Sequence, residues 1–164
     1  MLGEKLSHYY PDAQWACSSE GDLSTLQWFG PGDKPTEAEI SALTWPVITR
    51  SEVNAERARR LTAGTTVTVT GHGPVALSGR DEDTRNLQGL AFAAQLRLSQ
   101  GDTTHQTTFR DAGNVDHVLT PAQVLQMWSL GSAWIEQVYA ASWALKDTQG
   151  GIPADYANDG YWPQ

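Results

Sequence analysis

The residues best placed to do chemistry lie in one stretch, where His105, Asp111, Asp116 and His117 follow one another closely. Imidazole and carboxylate are common ligands of divalent transition metals, and a bound ion can activate water for hydrolysis. Their spacing follows no recognised ligand pattern, and the run DAGN between them is turn sequence. The stretch therefore reads as polar side chains on a surface hairpin, with a metal-assisted hydrolase as a remote alternative. Cys17 is the only cysteine and sits beside Trp15 on an expected strand, with His8 the only nearby imidazole. Burial as a small hydrophobe fits it better than nucleophilic catalysis. A single cysteine also excludes an internal disulfide and a zinc site built on thiolates.

The glycine-rich stretches lack the context of phosphate-binding loops. GPGDKP has no GK[ST] ending, and GHGP runs into strand residues where a phosphate loop would open a helix, so both read as turns. ERARR, with Arg57, Arg59 and Arg60, is the only basic cluster, and Glu52 and Glu56 in the same segment offer internal pairing. It reads as a solvated helix face. GxSxG and HExxH are absent. No catalytic, cofactor-binding or metal residues are assigned from these patterns, no cofactor is expected, and the chain reads as a non-enzyme.

Composition narrows the partners. Nineteen acidic against eleven basic side chains leave a formal charge of -8, the opposite of what phosphate neutralisation needs, so nucleic acid is not an expected partner. No run of apolar residues is long enough to span a membrane, and the N-terminus lacks the apolar core of a secretory signal. With 40% hydrophobic residues the chain can build a core, and its seven tryptophans suit interfaces as well as interiors.

The elements that must carry these residues follow from periodicity and capping. LGEKLSHYY reads as a short helix, and residues 13–17 and 23–29 as a strand pair. Thr36 with Glu39, Thr49 with Glu52, and Thr120 with Gln123 are capping boxes opening three helices, the first running to Pro46. TVTV and VAL flank GHGP as a hairpin. Leu87, Leu90, Ala91, Ala94 and Leu98 recur at helical spacing after it. A second hairpin turns at DAGN. The final helix, expected over 121–147 and about 40 Å long, carries Val124, Trp128, Gly131, Ile135, Val138 and Leu145 on one stripe. The expected fold is α+β, with an N-terminal helix–hairpin–helix unit (1–46), a domain of helix, hairpin, helix, hairpin and long helix (47–147), and an extended tail (148–164).

Two stretches resemble phage proteins. QWFGPGDKPTEAEISA, after YPDAQW, resembles the start of small phage tail accessory proteins of the XkdW type. ITRSEVNAERARRLTAG, RDEDTRNLQGLAFAA and VLTPAQVLQMWSLGSAWIEQVYAASWALKD resemble an uncharacterised C-terminal domain of phage tail-fibre and tail-fibre-assembly proteins. Arg85, Leu87 and Gly89 in DTRNLQGL and the LTPAQVL helix start carry most of it. The resemblance implies a structural component of a phage tail, at the baseplate or fibre attachment, or alternatively a tail-fibre assembly chaperone. It implies a place in the virion after synthesis in the host cytoplasm, other tail proteins as partners, and a possible homo-oligomer. It implies no catalytic residue. Gly89 within a helix suggests close approach of a second backbone near Gly131, and Arg85 a tie to a neighbouring loop.

Past Asp147 the resemblance ends, and GGIPADYANDGYWPQ follows. Its Ile152, Tyr156, Tyr161 and Trp162, with Trp134 and Trp143 on the long helix, are the expected protein-contact residues. The segment either covers its own domain or docks on a neighbour.

Overall fold

The computed structural model describes residues 2–19, 21–43, 45 and 47–164. In chain order it contains α1 (Leu2–Tyr9), β1 (Trp15–Ala16), β2 (Gln27–Trp28), α2 (Glu37–Ala42), α3 (Arg50–Ala63), β3 (Thr65–Val69), β4 (Gly73–Leu77), α4 (Asp81–Ser99), β5 (Thr107–Arg110), β6 (Asp116–Leu119) and α5 (Pro121–Lys146). The fold is α+β. Its strands pair as separate antiparallel hairpins, β1 with β2, β3 with β4 and β5 with β6.

Local chemistry sets most boundaries. Thr36, Thr49 and Thr120 each accept the N3 backbone N–H while the N3 side chain reaches back, completing the capping boxes of α2, α3 and α5. α4 has no such cap and instead carries Asp81, Glu82 and Asp83 where its dipole favours negative charge. The N-terminal strand pair is shorter than its sequence suggests. Leu23–Thr25 forms a 3-10 turn because Asp22 accepts the Ser24 backbone N–H, a local bond that competes with strand pairing. α2 stops at Ala42, with Leu43 already extended. Pro46, its expected terminator, lies outside the described residues.

Two apolar clusters share α5. The inward side chains of the β3–β4 hairpin, Val67, Val69, Val75 and Leu77, meet Leu87 and Ala94 of α4, Leu119 of β6, and Val124 and Met127 at the start of α5. The far half of α5 presents Val138 and Leu145 to Val53 of α3, and Ile152 and Trp162 of the C-terminal segment complete that group. A helix of 26 residues spans about 39 Å, long enough to serve both. Leu6, Leu26 and Ile40 form a third, N-terminal cluster.

Glycine fixes the junction between α3 and the β3–β4 hairpin. Gly64 caps α3 at φ 79°, ψ -164°, a region essentially reserved for glycine, and a Cβ there would strike the Leu77 carbonyl oxygen. Gly79 would strike the Leu61 carbonyl in the same way, so α3 and β4 approach backbone to backbone. Gly89, by contrast, corrects the expectation from sequence: it is exposed, and nothing lies within 4 Å of a Cβ built on it. Gly131 is closely packed, but against a side chain: a Cβ there would lie 2.9 Å from Leu77 Cδ1. Among the described residues Arg85 likewise ties to no neighbouring loop; its Nε donates to the Asp81 carbonyl within α4.

Candidate functional site

Strand alternation sorts the hairpin residues by face. In β6, His117 and Leu119 point inward and are buried, while Asp116 points out and forms a two-pronged ion pair with Arg110, its ladder partner, at 2.8 and 2.9 Å. His105 joins neither; its backbone N–H donates to Asp102 Oδ1 at 3.0 Å. Of the four candidates read from sequence, only Asp111 and His117 meet. His117 Nε2 lies 3.1 Å from Asp111 Oδ2.

The group that completes this arrangement is His72, in the turn between β3 and β4. Its Nε2 lies 2.8 Å from His117 Nδ1. Asp111 is fixed by backbone N–H groups, accepting Gly113 and Val115 on Oδ1 at 2.8 Å each. The Val115 N–H, followed by the His117 ring, holds its carboxyl down at about 2. An ionised Asp111 only accepts, so His117 donates to it from Nε2, and in the Nε2–H tautomer Nδ1 is the acceptor for the His72 N–H. The result is a directed chain from a buried carboxylate to an exposed imidazole. Among the described residues no hydroxyl or thiol hydrogen-bonds either ring, and no three His, Cys, Asp or Glu side chains gather as a metal cluster. His72 was legible only as part of a turn motif, because nothing in the spacing of positions 72 and 117 signals that two separate hairpins meet.

The basic cluster of α3 differs from a solvated face. Glu56, buried, accepts from Arg59 Nε and Nη2 and from Arg60 Nε, each at 2.7 Å. Hydrogen bonding from Arg59 holds its carboxyl below the usual range against the opposing effect of burial. Arg60, with only 10% of its side chain exposed, then reaches the Ala157 carbonyl and Asp159 at 2.8 Å and stacks over Trp162 at 5.0 Å. Arg57 lies over the Tyr139 ring at 4.5 Å.

These contacts place the expected contact residues. Ile152 and Trp162 are buried in the chain's own second cluster, and Tyr156 and Trp134 pack against it. The Trp162 indole donates to the Tyr156 carbonyl at 2.7 Å. The C-terminal segment is therefore a cover for its own domain, which withdraws Ile152 and Trp162 as free docking groups. Tyr161 stays half-exposed with its hydroxyl donating to Asp155 at 3.2 Å, and Trp143 is exposed beside Tyr139. Among the described residues, the most exposed large apolar side chain is one that sequence reading passed over. Phe92, 76% exposed, and Leu96 sit one helical turn apart on the solvent side of α4, in line with Arg85 and Gly89. They fall opposite the stripe of Leu87, Ala91 and Ala94, and an outward Phe so placed was detectable as a break in the amphipathic pattern.

Residues 46–159 match the family model described as a domain of unknown function, DUF4376, over well more than half of the chain. The chain belongs to this family. The DUF4376 match takes in α3 to α5, both histidines of the relay and the Arg60 partners Ala157 and Asp159. The C-terminal segment is thus family territory up to residue 159, and not an addition that begins past Asp147. No curated protein and no solved structure matches the chain. No described helix of this DUF4376 protein is long and apolar enough to cross a membrane.

Proposed function

We propose that this DUF4376 protein is a structural component of a tailed-phage tail, at the baseplate or the fibre attachment, working through protein–protein contacts and catalysing no reaction. The observation that carries the reading is the uncovered apolar row of Phe92 and Leu96 on α4. Trp143 and Leu130 add exposed apolar area on α5, although the C-terminal segment already covers the far half of that helix. Soluble domains seldom leave large apolar side chains in line without a partner. Covering two such side chains contributes about 1.5–3 kcal/mol each before ordering costs, enough to anchor a contact. The assignment to a phage tail rests on the resemblance of the DTRNLQGL and LTPAQVL stretches. On this reading the protein belongs to the virion, with other tail proteins or a second copy of itself as partners.

Mass spectrometry of purified particles from an infected culture tests this. A stoichiometric copy in the finished particle is expected. Presence in the infected cell with absence from particles would move the reading to a tail-fibre assembly chaperone.

A further inference from the structure

We propose that His72 Nε2 and His117 Nδ1 together bind one divalent transition-metal ion of the imidazole-preferring class, such as Zn(II), Ni(II) or Cu(II), with Asp111 as the positioning residue behind His117. The two nitrogens face each other at 2.8 Å. Two imidazole nitrogens on one metal, each about 2.0–2.1 Å from it, stand about 2.9 Å apart at a right angle and about 3.3 Å apart in a tetrahedron. The pair stands at hydrogen-bond length, near the first spacing, with the His117 lone pair aimed at His72 Nε2, so His72 must swing off that axis to admit an ion.

The surroundings match what a metal-bound histidine needs. His117 is buried and its second ring nitrogen is engaged by a carboxylate, the arrangement that fixes tautomer and ring orientation for a ligand. That carboxylate is held in turn by the Gly113 and Val115 N–H groups, so His117 is the rigid half of the pair. His72 is the adjustable half, exposed in the hairpin turn between Gly71 and Gly73. For binding, its proton moves from Nε2 to Nδ1 and the ring pivots so that both lone pairs converge on the ion. Asp116 is committed to Arg110 and His105 lies outside the pair, so among the described residues the protein supplies two ligands and water fills the remaining positions. Such a site binds exchangeably, unlike a closed structural zinc site.

Titration calorimetry of the full chain with zinc chloride and with nickel chloride, in a buffer that does not chelate metals, tests the proposal. One saturable ion per chain is expected. His72→Ala alters an exposed side chain and should weaken binding at least tenfold with the fold intact, whereas His105→Ala should change nothing. Asp111→Asn should weaken zinc binding about 10- to 100-fold. Electron paramagnetic resonance of the Cu(II)-loaded chain should show two coordinated imidazole nitrogens, one in His72→Ala and still two in Asp111→Asn. The proposal is overturned by an absence of saturable one-to-one binding, by affinity indifferent to His72→Ala, or by dependence on His105.

Discussion

Replacing Trp162 with alanine tests whether the C-terminal segment belongs to the domain's interior. The ring is 4% exposed in a cluster with Val53, Val138, Leu145 and Ile152, its N–H donates to the Tyr156 carbonyl, and the Arg60 guanidinium lies over its face. Truncating a buried tryptophan costs about 3–5 kcal/mol when the void persists. Here the loss is capped, because a weakened segment can peel away from α3 and α5 instead of holding a cavity open. About 3 kcal/mol is therefore expected. For a chain of this size each kcal/mol lowers Tm by about 2–4 °C, so thermal unfolding followed by far-ultraviolet circular dichroism should shift down by about 6–12 °C. Tyr161→Ala, on the same segment but half-exposed, should cost less than about 1 kcal/mol. A Tm for Trp162→Ala within about 2 °C of wild type would refute the claim that the segment covers its own domain.

Three further outcomes follow from the geometry. Gly64→Ala should destabilise by about 3 kcal/mol or more in urea unfolding, from backbone strain plus the clash with the Leu77 carbonyl, while exposed Gly89→Ala should stabilise by about 0.8–1 kcal/mol through helix propensity alone. Arg60→Met should lower Tm and raise the rate of proteolytic nicking after Tyr156, because Glu56 keeps only Arg59 and the segment loses its bonds at Ala157 and Asp159. Glu39, Glu52, Glu56, Asp111 and Asp116 all have carboxyls held below their ordinary values in the folded chain. Their stabilisation is complete above about pH 5 and is lost as pH falls toward 2, so Tm should drop across that window, less steeply in Asp111→Asn.

The helices were legible because their signals are local. Thr49 with Glu52, and Thr120 with Pro121 and Gln123, state a helix start within four residues, and the stripe of α5 states its buried face. The long-range pairings were not. Arg60 reads as one of three surface arginines until the segment carrying Asp159 folds back across α3. His72 reads as turn sequence until the β3–β4 and β5–β6 hairpins meet side by side. Gly89 shows the converse error, since a glycine in a helix suggests close approach whether or not any neighbour comes near. Sequence spacing carries information about one element at a time, and the candidate sites of this protein are made where elements meet.

The central claim is that α4 offers its Phe92 and Leu96 face to another tail protein. A photo-crosslinking amino acid placed at position 92, activated during infection, tests it most directly, with Phe92→Ser/Leu96→Ser as the companion variant. These exposed changes should leave Tm within about 2 °C of wild type. The account predicts a discrete cross-link from position 92 to one phage tail component, and loss of the double variant from purified particles. A folded double variant incorporated at wild-type levels, with no cross-link from position 92, would contradict it.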